Sequence, residues 1–96
     1  MVRQYEALYI IRPDLQEEEV SPITEKYKQV VESQGAEVLE VNRWETRKLA
    51  YEIDGYREGI YVLMTFSGQP GAAAELDRVL RIGEDVLRHI IVRKDT

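Results

Sequence analysis

The sequence contains no cysteine, and this absence excludes disulfide bonds, thiol catalysis and cysteine-ligated zinc. It also contains no run of about 18 apolar residues, so no segment predicts a membrane span. The first six residues lack the apolar core of a secretory signal. Together these absences favour a cytoplasmic protein without a membrane partner.

Signatures of catalysis and of cofactor binding are also missing. The single histidine, His89, has no carboxylate that the sequence places beside it and no accompanying nucleophile motif. There is no glycine-rich phosphate loop, and the adjacent acids of Glu17-Glu18-Glu19 do not form a metal site by themselves. We therefore expect no enzymatic activity, no cofactor, no metal ion and no small-molecule substrate.

Basic residues are outnumbered, and the 96-residue chain carries a formal net charge of −5. This balance opposes binding to phosphate groups. However, residues 43–96 hold nine basic and nine acidic residues, so the excess of acid lies entirely within residues 1–42. The second half therefore either forms a mixed, solubilising surface or presents a local basic patch to nucleic acid.

The apolar pattern divides the chain into six elements. Strands are predicted for residues 5–11, 36–51, 60–66 and 86–93, and helices for residues 21–34 and 70–82. Ser21 and Pro22 are typical of a helix start, and Gly35 and Gly83 are typical of helix ends. Asp54-Gly55 predicts a hairpin turn, with residues 56–59 lengthening the loop.

The resulting order is β-α-β-β-α-β, which predicts one α+β domain over residues 1–96. Right-handed crossovers convert this order into a ferredoxin-like sandwich, a four-stranded antiparallel sheet with two helices on one face. The first and third strands are apolar on both faces, so we expect them in the centre of the sheet. The other face of the sheet receives no cover from this chain.

Strand alternation then assigns side chains to faces. Apolar residues on the uncovered face predict a partner-binding patch of Leu8, Ile10, Tyr61 and Leu63. Alternation places Trp44 and Lys48 on one side of the second strand and Arg47 and Tyr51 on the other, unless a bulge intervenes. Neighbouring first and last strands predict a second basic edge of Arg3, Arg88, Arg93 and Lys94.

Several segments, taken in order along nearly the whole chain, resemble the bacterial ribosomal protein S6 family. They are Arg3-Gln4-Tyr5-Glu6, Arg12-Pro13-Asp14, Trp44…Arg47-Lys48-Leu49-Ala50-Tyr51, Gly59-Ile60-Tyr61-Val62-Leu63-Met64 and Val86-Leu87-Arg88-His89-Ile90-Ile91-Val92-Arg93. The resemblance implies a ribosome-associated structural protein with a ferredoxin-like fold. It implies binding to the central domain of 16S rRNA alongside ribosomal protein S18, and RNA contacts by the matching residues Arg47, Lys48 and Tyr51.

One departure from the family pattern is Glu45, which stands where the family usually has glycine. If the backbone there requires glycine, Glu45 adds strain, and its carboxylate brings negative charge near Arg47. Two other functions share the predicted topology. One is a small-molecule-binding regulatory domain. The other is an acylphosphatase-like enzyme, which the glycine-free segment Arg12-Pro13-Asp14-Leu15 disfavours.

Overall fold

A computed structural model describes residues 2–94, so the ends of the predicted domain, residue 1 and residues 95–96, lie outside the described residues. The elements follow the predicted order: β1 Arg3–Ile11, α1 Glu17–Ser33, β2 Glu37–Ile53, β3 Tyr56–Gly68, α2 Pro70–Ile82 and β4 Val86–Arg93. The four strands form one antiparallel sheet in the order β2-β3-β1-β4. The ferredoxin-like α+β class and the central positions of β1 and β3 are therefore confirmed.

The hydrophobic core lies between the sheet and the two helices. Alternate residues of the central strands face the helices, beginning with Tyr5, which pairs with Phe66 and stacks on its ring at 5.4 Å. The buried side chains are Tyr5, Ala7, Tyr9, Ile11, Val20, Tyr27, Val31, Ala36, Val62, Met64, Phe66, Ala72, Leu76 and Leu80. Both helices thus bury one apolar stripe against the same face, which leaves the opposite face for other contacts.

Helix α1 begins at Glu17, so the predicted start at Ser21 is wrong. The Glu19 side chain accepts a hydrogen bond from the Gln16 backbone N–H at 3.1 Å and satisfies a donor that precedes the helix. Three glutamates in the first turn complement the positive end of the helix dipole. Because these signals precede Ser21, Pro22 falls inside the helix, where it supplies no backbone N–H.

Two turns, after α1 and between β2 and β3, contain residues with positive φ. Gly35 has φ +82°, as predicted for the end of α1. Asp54 and Gly55 have φ of 50° and 85°, which suits a two-residue hairpin turn. The predicted lengthening of this loop by residues 56–59 is wrong, because Ile53 pairs directly with Tyr56 and β3 starts there.

Tyr9 carries a polar atom that the core leaves without a partner. Tyr9 is fully buried, and its ring centroid lies 5.2 Å from that of Tyr27. Within residues 2–94 its hydroxyl has no hydrogen-bond partner. Burial raises the pKa of the Tyr9 hydroxyl well above its ordinary range, and Tyr27 adds to the shift. Ionisation of this residue is therefore favoured in the unfolded chain, and it lowers stability as pH rises above about 10.

We expect Tyr9→Phe to raise the free energy of unfolding by about 1 kcal/mol at neutral pH, because it removes an unsatisfied buried hydroxyl. Urea unfolding at neutral pH and again above about pH 10 would measure the difference in unfolding free energy between Tyr9→Phe and the parent. We expect a larger difference at the higher pH. Tyr51→Phe is the matched control, because Tyr51 is 60% exposed and should unfold like the parent. A loss of stability in Tyr9→Phe would contradict the expectation.

Candidate functional site

The sheet face opposite the helices carries a continuous apolar strip. In the central strands Leu8 pairs with Leu63 and Ile10 with Tyr61, and all four are half-buried on this face as predicted. Sequence reasoning missed the contribution of β4. Ile90 pairs with Leu8 and is 57% exposed, and Val92 is 45% exposed on the same face. The alternation of residues 88, 90 and 92 along β4 was the signal that could have found them.

A bulge in β2 changes the direction of Trp44. Arg43 pairs with Val62, but the next pair joins Thr46 to Ile60, so Trp44 and Glu45 together oppose Tyr61. The Trp44 ring stacks on the Tyr61 ring at 6.1 Å and 18°. Placing Trp44 on the same side as Lys48 was therefore wrong, because the extra residue reverses the alternation.

The bulge also brings Arg47 over the Trp44 ring. The Arg47 guanidinium carbon lies 4.8 Å from the ring centroid, so Tyr61, Trp44 and Arg47 form one stacked group. After the bulge, Arg47 pairs with Gly59 and Lys48 with Glu58. Consecutive pairs of a regular ladder point to opposite faces, so Arg47 and Lys48 are separated as predicted.

Glu45 does not carry the backbone strain that its replacement of glycine suggested. Within residues 2–94, the one non-glycine residue with positive φ is Asp54 in the hairpin turn. Glu45 therefore adopts a conformation open to any residue, and its exposed carboxylate is the remaining difference at the bulge.

The end of the β2–β3 hairpin bends back across the open face. Tyr51 belongs to β2 at one edge of the sheet, yet its ring lies 5.5 Å from the guanidinium carbon of Arg88 on β4 at the other edge. The expectation that this face has no cover is thus wrong at the hairpin end. Between hairpin and sheet lies an apolar groove of about 280 Å³, lined by Leu8, Ile10, Leu49, Ala50, Tyr51, Ile53, Tyr61, Arg88, His89 and Ile90.

The predicted RNA-binding residues fall at two ends of the sheet. Arg93 pairs with Tyr5, and the Lys94 N–H donates to the Gln4 carbonyl at 2.8 Å, near Arg3 at the start of β1. Arg88 pairs with Ile10, five residues further along β1, or about 17 Å at the rise of a strand. Arg88 therefore joins Arg47, Lys48 and Tyr51 at the hairpin end, and the predicted second basic edge is divided.

Most of the arginines form ion pairs with carboxylates within residues 2–94. The arginine–carboxylate pairs are Arg12 with Asp14 and Asp85, Arg43 with Glu17, Arg57 with Glu52, Arg78 with Glu75 and Arg81 with Asp77. The hydrogen bond from Arg43 lowers the pKa of Glu17, and that from Arg78 lowers the pKa of Glu75. In contrast, neither Arg47 nor Arg88 forms an ion pair within residues 2–94, and each lies over an aromatic ring.

His89 has an acidic partner that sequence reasoning missed. Its Nε2 lies 2.8 Å from Asp77 Oδ1 on α2, and this contact links β4 to the helix layer. Asp77 also binds Arg81, so the pair belongs to a structural network. Among the described residues, no cluster of three or more acidic, histidine or cysteine side chains is arranged for a metal ion. No helix in this part of the chain is long and apolar enough to cross a membrane.

Comparison with known proteins identifies the family. The family model described as ribosomal protein S6 matches residues 4–93. The small ribosomal subunit protein bS6 of Desulforamulus reducens is 53% identical, covering 97% of this chain and 98% of that protein. The bS6 protein of Carboxydothermus hydrogenoformans is 48% identical, with 99% of each chain covered.

The fold agrees with these sequence matches. The crystal structure of 30S ribosomal protein S6 from Thermotoga maritima superposes with a TM-score of 0.91 at 30% identity, covering 98% of this chain and 89% of that one. Its topology is thus the same as that of the sheet and helices described above. The chain belongs to the ribosomal protein S6 family, whose members are non-enzymatic structural proteins of the small ribosomal subunit in the cytoplasm.

Proposed function

We propose that this chain binds the central domain of 16S rRNA together with ribosomal protein S18. The observation that carries the proposal is the pair of arginines, Arg47 and Arg88, which face the open side of the sheet and form no ion pair with a carboxylate of residues 2–94. Such guanidinium groups keep their full charge for phosphate oxygens. Family membership supports a ribosomal setting for this contact.

The protein partner accounts for the acidity of the chain. A net charge of −5 opposes RNA binding over the molecule as a whole, and positive charge from a second protein at the joint surface would offset this opposition. The apolar strip of Leu8, Ile10, Tyr61 and Leu63 supplies a surface for that protein. The RNA-contacting side chains in this proposal are Arg3, Arg47, Lys48, Tyr51, Arg88, Arg93 and Lys94.

Binding to a central-domain 16S rRNA fragment, with and without ribosomal protein S18, tests the proposal. We expect weak binding by the isolated chain, affinity about tenfold higher with the partner, and a steep loss as salt rises. A 16S rRNA fragment from another domain is the control and should show no cooperative gain. Equal affinity with and without ribosomal protein S18 would overturn the cooperative part, and equal affinity for both fragments would overturn the specificity.

A further inference from the structure

The groove under the bent hairpin combines three features on one site. Its floor is apolar, formed by Leu8 and Ile10 of β1 with Tyr61 of β3. Its rim holds Tyr51, a residue that is 60% exposed although its ring lies 5.5 Å from the Arg88 guanidinium carbon. An exposed ring, an apolar floor and a cation are thus brought together by strands from both edges of the sheet.

The Arg88 guanidinium keeps its hydrogen-bonding capacity in this arrangement. A guanidinium carries five N–H donors, and its attraction to an aromatic ring does not require a hydrogen bond from any of them to a carboxylate. Within residues 2–94 no carboxylate forms an ion pair with Arg88, so those donors remain available to an anionic ligand. The rim therefore favours a ligand that carries both negative charge and a flat apolar part.

The stacked group of Tyr61, Trp44 and Arg47 places a second aromatic ring and a second arginine beside the groove. Tyr61 lines the groove and also stacks on Trp44, which in turn lies under the uncompensated Arg47. One arginine–aromatic pair thus lines the groove, and the second lies beyond Tyr61. Aromatic faces stack on nucleobases, and arginine binds phosphate and also stacks.

We propose that this groove binds one unpaired nucleotide of RNA, with its base beside Tyr51 and its phosphate on Arg88. The inference rests on the RNA binding proposed above and adds the form of the RNA that is recognised. A paired base cannot enter the groove, because its faces are already stacked within the duplex. This site narrows the partner surface proposed above, because the nucleotide would cover Leu8, Ile10 and Tyr61. The end of the open face around Leu63 and Val92 then remains for the protein partner.

Trp44 is the one tryptophan of the chain and reports on the site through its contact with Tyr61. The full chain is titrated at low salt with a single-stranded RNA of about ten nucleotides and with duplex RNA of equal phosphate number. We expect the single strand to change Trp44 emission and to bind about tenfold more tightly than the duplex.

Three variants separate stacking from charge. Tyr51→Leu leaves the net charge unchanged and should lower affinity for the single strand about tenfold. Arg88→Lys keeps the charge but loses the planar group, so it should weaken binding nearly as much. Arg78→Ala removes one charge from the helix side, where Arg78 pairs with Glu75, and should bind as the parent does. Thermal melting of each variant confirms that it is folded.

Equal affinity for single strand and duplex, with unchanged Trp44 emission, would overturn the nucleotide site. Full binding by Tyr51→Leu would do the same. In either case cooperative binding of the 16S rRNA fragment would show that the proposed function stands without this site. If neither short RNA binds and the rRNA fragment is also not bound, the site and the proposed function fail together.

Discussion

Phe66→Ala is expected to lower the free energy of unfolding by about 3–5 kcal/mol. Phe66 is fully buried near the end of β3 and stacks on Tyr5, so truncation removes apolar contacts and leaves a cavity in a rigid sheet. A chain of this size has a total stability of about 5–15 kcal/mol, so the loss is a large part of the whole. Urea unfolding followed by far-UV circular dichroism would measure it.

Ile82→Ala is the matched control for this substitution. Ile82 is also a large apolar residue, but it ends α2 with 67% of its surface exposed. Its truncation should change stability by no more than about 0.5 kcal/mol. Similar losses in both variants would contradict the placement of the core between the helices and the central strands.

Gly68→Ala is expected to cost about 2 kcal/mol, because the end of β3 lies against the chain that enters β2. A Cβ atom at Gly68 would lie 2.6 Å from the Ala36 Cβ and 3.1 Å from the Ala36 Cα, and a backbone atom cannot move aside cheaply. Chemical denaturation should show a lower midpoint with an unchanged slope.

Gly71, three residues further along the chain, provides a control in which alanine should raise stability and not lower it. Gly71 lies in the first turn of α2, and a Cβ atom there would meet nothing within 4 Å. Gly71→Ala should therefore stabilise the protein by about 0.5–1 kcal/mol through the higher helix propensity of alanine. Destabilisation of both variants by the same amount would show that close packing is not the cause at Gly68.

Local patterns predicted much of this fold. Strand β4 has the predicted limits, because the apolar run of residues 86–93 follows a clear stop at Gly83. Helix α2 begins at Pro70 as expected for the first helical position. The double-sided apolar character of β1 and β3 gave their central positions, and these positions with the crossover rule determine the sheet order.

Competing local signals account for the errors. Helix α1 contains two possible starts, and the Gln16–Glu19 contact with three dipole-facing acids prevails over Ser21-Pro22. In β2, a single extra residue at the bulge reverses the side on which Trp44 lies. The period-two rule does not show where such a residue is inserted, since the bulge depends on pairing with β3.

The groove is a tertiary property that sequence reasoning did not find. Its lining comes from all four strands, and it exists because the hairpin end bends over the sheet toward Arg88. Alternation placed Leu8, Ile10 and Tyr61 on the right face, yet the contact between Tyr51 and Arg88 joins opposite sheet edges. Residues 37 positions apart in the chain give no local signal of such a contact.

The helix layer also affects how the protein meets a polyanion. Helix α1 holds five glutamates against two lysines, whereas the unneutralised arginines Arg47 and Arg88 lie across the sheet from it. This placement makes α1 an acidic end of the molecule and leaves Arg47 and Arg88 at the other end. Nucleic acid would repel that end and attract the other, so the field orients the protein before contact and raises the share of productive encounters. Added salt would weaken this orientation and slow association.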